Sequence, residues 1–152
     1  MSSNHYPFVV RVYGVIVDAQ RGYLVSDEFV FGQKITKFAG GGLEFGEGTV
    51  DCLKRELMEE VGQEFDVLGH FYTTDFFVPS AFNSKVQVIS VYYSASALGD
   101  LAIGVSEKPF DFKELVEGAQ SFRWVPFDRI GPETFTLEID QHVGSMLKAS
   151  RQ

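Results

Sequence analysis

The sequence predicts an α/β fold: a mixed sheet with helices on both sides. Two observations carry this. Apolar runs follow one another in the order strand, strand, strand, helix, strand, strand, strand, helix. The run Lys85–Ala97 is apolar on both of its alternating faces, Val86, Val88 and Tyr92 against Ile89, Val91 and Tyr93, as a strand covered on both sides should be. The 152 residues, 45% of them apolar, suit one domain spanning 1–152 with an adequate core.

In chain order, Phe8–Val17 is rich in valine and tyrosine and reads as a strand. Asp18–Gly22 is a turn, and Tyr23–Val25 resumes as a short strand, which makes a hairpin. Glu28–Gln33 reads as a loop, and Lys34–Phe38 as a short strand delivering the glycine-rich loop Gly40-Gly41-Gly42. Helix period runs from Gly48 to Val61: Val50, Leu53, Leu57 and Val61 form one apolar stripe. Gly48 or Thr49 can cap the start, Asp51 suits the positive end of the helix dipole, and Gly62 suits a left-handed stop.

Beyond the helix, Phe65–Val78 reads as a long strand with a bulge near Gly69, Pro79–Ser84 as a turn, and Leu98–Gly104 as a loop. Asp111–Leu115 is expected to form a short helical turn. Phe122–Pro126 is a strand ended by its proline, and Phe127–Pro132 a turn. Leu137–Ala149 is a helix with Ile139, Val143, Met146 and Leu147 buried, and His142 reads as a partly buried structural histidine beside that stripe.

The chemistry concentrates around the first helix. Glu56, Glu59 and Glu60 stand at i, i+3 and i+4, so their carboxylates are expected to gather on one side. Arg55 is placed to pair with Glu59 and with Glu47. Like charges this close call for solvent or a hard divalent cation, and oxygen-only ligands select Mg²⁺, Mn²⁺ or Ca²⁺. Gly40, Gly41 and Gly42 let the main chain approach a ligand, and N–H groups near a helix start favour phosphate. A phosphate cradle beside a carboxylate cluster points to a metal-bridged pyrophosphate. Lys34 and Lys37, just upstream, are further phosphate or base contacts if they are not simply solvated.

The spacing Gly41, Glu47, Arg55, Glu56, Leu57, Glu59, Glu60, Gly62 resembles the Nudix box at every fixed position. Gln63 stands at the last apolar position, where Phe65 is expected to do the packing, and Ala39 replaces the common proline. The resemblance implies an α/β/α sandwich and a hydrolase that cleaves the pyrophosphate of a nucleoside diphosphate linked to another moiety. It implies Mg²⁺ or Mn²⁺ on Glu56, Glu59, Glu60 and the Gly41 carbonyl. Glu56 is then the candidate to orient or deprotonate water, and Arg55 orients Glu59 and Glu60 together with Glu47. Members of the family often carry a further acid just before a tryptophan such as Trp124. The nearest groups here are Gln120 and Glu117, so the base is Glu56 or a residue outside the box such as Glu117.

Composition narrows the partners. A net charge of −8 argues against a nucleic-acid backbone and leaves a small phosphorylated nucleotide as substrate. Cys52 is the only cysteine, so no internal disulfide forms, and in the helix it reads as a small buried hydrophobe. No run reaches transmembrane length and no targeting segment stands out, so no membrane partner is expected and the location is cytoplasmic. Fifteen phenylalanines suggest a bulky core and a homodimer face. Substrate choice is expected in the segments 18–33, 79–84 and 98–121. Two other classes remain: a non-catalytic module that senses a nucleotide sugar, and an interaction protein whose acidic helix is merely solvated.

Overall fold

A computed structural model describes residues 7–101 and 103–150; the ends of the expected domain and Ala102 lie outside the described residues. β1 (Phe8–Asp18) and β2 (Gly22–Val30) form the first hairpin, with β3 (Gln33–Lys37) and β4 (Ala39–Gly42) following before helix α1 (Thr49–Val61). β5 (Phe65–Thr73), β6 (Gln87–Ala97), β7 (Val105–Ser106) and β8 (Gln120–Val125) precede a single 3₁₀ turn, Pro132–Thr134, and helix α2 (Glu138–Ala149). The sheet runs β5-β6-β1-β2-β8-β7, with β3 on β2 and β4 on β1. β1 pairs parallel to β6, and β1–β2, β2–β8 and β5–β6 are antiparallel, so the sheet is mixed as expected.

Alternation on the strands sends two cores to opposite faces. Val12, Ile16, Leu24 and Ala95 pack with Cys52, Leu53, Leu57 and Val61 of α1. Tyr13, Val15, Val25 and Tyr92 pack with Ile139, Val143 and Leu147 of α2. β6 lies between β5 and β1, which is why both of its faces are apolar. Phe65 is buried in the α1 core, taking the packing that Gln63 cannot; Gln63 donates instead to the Asp100 carbonyl.

Several boundaries differ from the sequence reading. The segment Glu28–Gln33 is no loop: β2 continues to Val30, turns at Phe31-Gly32, and returns as β3 from Gln33. Both turn residues have positive φ, 50° and 71°, the conformation a two-residue hairpin demands. Asp27, polar at mid-strand, disguised this hairpin; it is wholly buried against Arg123 and Thr36. The glycine triplet is also a strand, since Tyr13, Val12 and Arg11 of β1 stand opposite Gly40, Gly41 and Gly42. Among the described residues, four strands therefore precede α1. β5 ends at Thr73, after register shifts at Val67/Gly69 and His70/Tyr72. Asp111–Leu115 holds no helix, and the Ser106 hydroxyl bonds Asp111 there. Val50 is exposed at the start of α1, and Cys52 fills the stripe in its place.

Candidate active site

α1 starts at Gly48 and stops at Gly62, whose φ of 82° lets its N–H reach the Leu57 and Met58 carbonyls. Packing of Leu53 and Leu57 on β1 and β4 sets the helix rotation, and this brings the acidic side toward the glycine strand. The Glu56 carboxyl lies directly over Gly41, where any Cβ would collide with it. Gly40, at φ 147°, runs so close to β1 that a Cβ there would strike the Val12 carbonyl. The triplet thus gives the carboxyl of Glu56 room, while its backbone is held by the β1 ladder.

Arg55 organises the same end. Its Nε and Nη2 donate to Glu47 at 2.9 and 2.7 Å, its Nη1 to Glu56 at 3.0 Å and Glu59 at 3.3 Å, and Nη2 also to the Gly42 carbonyl at 3.1 Å. Hydrogen bonds from Arg55 and from the Glu44 N–H hold the Glu47 carboxyl down at about 2. The three helix carboxylates do not gather as one cluster. Glu59 swings out onto Arg55 and is mostly exposed, whereas Glu60 turns inward. Among the described residues no three acidic, histidine or cysteine side chains close around a common point. Arg55 bonds Glu56 and Glu59, and no hydrogen bond joins it to Glu60.

Burial pushes the Glu60 carboxyl up to about 7, against the lowering effects of the Lys37 charge and the Gly40 backbone. Its Oε2 is buried and has no hydrogen-bond partner. Lys37, a candidate phosphate or base contact, is not solvated: it is only 6% exposed. Its ammonium pairs with Glu28 at 3.3 Å, approaches the Gly40 carbonyl at 3.4 Å and lies over the Tyr13 ring. Burial opposes its charge, yet Tyr13, Glu28 and Glu60 hold its pKa above the usual value. Lys34 stays at the surface, over the Phe110 ring.

A cavity of about 500 Å³ opens beside these groups. Arg11, Glu28 and Lys37 stand along it, Tyr92 and Asp140 line it further in, and Phe31 meets Phe82 at 4.9 Å across its rim. Residues 79–82 and Glu28, Val30 and Phe31, from the segments 79–84 and 18–33, line it; no residue of 98–121 does. The Arg11 guanidinium donates to the Tyr13 hydroxyl at 2.6 Å. The Tyr92 hydroxyl donates to Asp140, and burial raises this carboxyl to about 6.

Sequence reading missed Arg11, Glu28, Tyr13 and Asp140. The signal was present in alternation: Arg11 and Tyr13 share one face of β1, and Ser26 and Glu28 one face of β2. Glu117 accepts the N–H groups of Phe31 and Gly32 at the hairpin tip. Gln120 bonds Ser26 and Glu28, which stands opposite it in the β2–β8 ladder. His142 is exposed rather than partly buried, with Tyr72 and Phe76 against its ring.

Two features of the residues present suit a hard cation. One is the buried Glu60 oxygen without a partner, and the other is the close berth of the Glu56 carboxyl on side-chain-free Gly41. Both donors are carboxylate oxygens, the set that suits Mg²⁺ or Mn²⁺.

The family model for the NUDIX domain matches residues 7–144. Among solved structures, the fold is similar to a NUDIX hydrolase from Nitrosomonas europaea, with a TM-score of 0.66 at 20% identity over 96% of this chain and 91% of that one. It is similar to the MutT protein from Methanosarcina mazei Go1, with a TM-score of 0.68 at 16% identity over 96% of each chain. An ADP-ribose pyrophosphatase from Streptococcus suis is similar at a TM-score of 0.58 and 16% identity, over 95% of this chain and 92% of that one. No protein of curated function matches the sequence. The family match runs from the start of β1 through α1 and into α2, so the chain belongs to the NUDIX family.

Proposed function

We propose that this protein is a pyrophosphohydrolase acting on a nucleoside diphosphate linked to another moiety: a nucleoside triphosphate, ADP-ribose, a nucleotide sugar or a dinucleoside polyphosphate. The observation that carries this reading is the Glu56 carboxyl berthed on Gly41, with Arg11 and Lys37 of the cavity wall within reach of the charges of Glu56 and Glu60. Acidic and basic groups stand side by side there, as cleavage of a charged anhydride requires.

Mg²⁺ or Mn²⁺, held by Glu56 and Glu60 with Glu59 and the Gly41 carbonyl as further ligands, would neutralise phosphate charge and acidify the attacking water. The chain's own residues do the rest. Glu56, pinned by Arg55, orients the water and takes its proton as the new P–O bond forms. The bridging P–O bond breaks, and the leaving phosphate carries the electron pair away under the charges of Lys37 and Arg11. Because the Glu56 carboxyl covers Gly41, the diphosphate lies beside the glycine strand rather than on it. Positioned charge of this kind supplies most of the acceleration in phosphoryl transfer.

The charge of −8 supports a small substrate over a nucleic-acid polymer. No helix among the described residues is long and apolar enough to cross a membrane. Buried Cys52, a free thiol, suits the reducing cytoplasm. For a homodimer, exposed Leu68 on the edge strand β5 offers a face, and a sizing experiment tests it. The function is tested by incubating the four substrate classes with Mg²⁺ or Mn²⁺ and measuring phosphate released by a coupling phosphatase. Turnover of at least one class is expected; binding without turnover of any would make the protein a sensor.

A further inference from the structure

Glu28 sits at the cavity with a specific set of partners. Its Oε2 accepts the Ser26 hydroxyl at 2.8 Å and the Gln120 amide at 3.3 Å, and it pairs with Lys37 at 3.3 Å. Lys37 therefore has a carboxylate partner, and that partner is not Glu60. Yet Lys37 lies close enough for its charge to act on Glu60. The Glu60 oxygen Oε2 is meanwhile buried and unpartnered. Lys37 also approaches the Gly40 carbonyl at 3.4 Å, on the glycine strand against which α1 packs, and an ammonium free to move there would gain by meeting the unpartnered carboxyl oxygen, because each unmet group costs desolvation energy. No ion pair joins Lys37 to Glu60 among the described residues; the ammonium bonds the anchored Glu28.

We propose that Glu28 is a positioning residue that holds the Lys37 ammonium off Glu60, so that the free Glu60 oxygen stays open to a divalent cation. Gln120 and Ser26 fix Glu28 from the β8 and β2 sides and give it the rigidity this needs. The inference rests on the reading of Glu60 as a cation ligand. Without Glu28, Lys37 turns to Glu60 and competes with the cation for the same oxygen.

The test is calorimetric titration of Mn²⁺ alone into wild-type protein, Glu28→Gln, Glu28→Asp, Lys37→Met and the double variant Glu28→Gln/Lys37→Met, each checked for folding by thermal melting. Glu28→Gln should weaken Mn²⁺ binding by about 10-fold or more, and Lys37→Met in that background should restore it to within about 3-fold of wild type, while Lys37→Met alone shifts it by no more than about 3-fold. Glu28→Asp keeps the charge but shortens its reach, so it too should lose affinity. Additive effects, with Lys37→Met alone gaining as much as Glu28→Gln loses and Glu28→Asp unchanged, would mean that only long-range charge acts, and would overturn the role of Glu28. So would a loss that Lys37→Met does not restore. Wild-type protein that binds no Mn²⁺ would instead remove the cation reading of Glu60 itself.

Discussion

The Glu56 carboxyl occupies the space that a side chain on Gly41 would need. One residue comes from helix α1 and the other from strand β4, so the contact fixes the helix against the sheet at the point where the chemistry is proposed. Gly41 itself has no left-handed φ. Gly41→Ala should therefore leave the backbone unstrained while forcing Glu56 aside. We expect a stability loss within about 1 kcal/mol and a fall in kcat of about 10-fold or more. Thermal melting and steady-state kinetics on the same preparation separate the two effects.

Gly40 makes the contrasting case. At φ 147° and against the Val12 carbonyl, Gly40→Ala strains the strand itself. A destabilisation of about 1–3 kcal/mol is expected, read by denaturant unfolding. Equal stability for the Gly40 and Gly41 variants would contradict this division of labour.

Arg55 should not tolerate lysine. Its fork serves Glu47 with two nitrogens and reaches Glu56, Glu59 and the Gly42 carbonyl at the same time. A lysine supplies the charge without the fork. Arg55→Lys should lower kcat by about 10²-fold with a smaller change in KM, because it releases Glu56 rather than the substrate. A kinetic comparison showing only a raised KM would place Arg55 on the substrate instead.

The protein's pH dependence follows from Glu60 and Asp140. Burial raises Glu60 from 4.5 to about 7 and Asp140 from 3.8 to about 6. Each folded carboxyl holds its proton more tightly than the unfolded one. The stability this contributes is full below the unfolded values and is lost as pH rises through 6 and 7. Glu47 works the other way: at about 2 when folded, it contributes stability above 4.5 that is lost only in strong acid. Metal-free Glu60→Gln should thus melt higher than wild type at pH 8, by ~1–3 kcal/mol at most, and converge with it near pH 4. A melting curve series without divalent cations checks this, and a Glu60→Gln protein less stable at pH 8 would refute it.

Much of the fold was legible because its signals are local. The helix α1 is bounded by Gly48 and Gly62 and striped by Leu53, Leu57 and Val61, and those features act within one element. The alternation of β6 likewise announced a central strand. The hairpin around Phe31 was hidden because Asp27 and Glu28 look like loop residues until Arg123 and Lys37 arrive from elsewhere in the sheet. The burial of Lys37 was hidden for the same reason: the acids and ring that make it tolerable come from β1, β2 and α1. The split of Glu59 from Glu60 depends on which faces of α1 meet solvent and sheet, and helical spacing alone places them together. Asp140, polar on the buried side of α2, gave no hint of Tyr92 on the distant strand β6.

The central claim is that Glu56 and Glu60 make this fold a pyrophosphate-cleaving enzyme. It is tested most directly by Mg²⁺-dependent turnover of the best substrate in the panel, measured for wild-type, Glu56→Gln and Glu60→Gln proteins of equal foldedness. The account predicts turnover in the wild type and losses of about 10²-fold or more in both variants. Folded variants that turn over at the wild-type rate would contradict it.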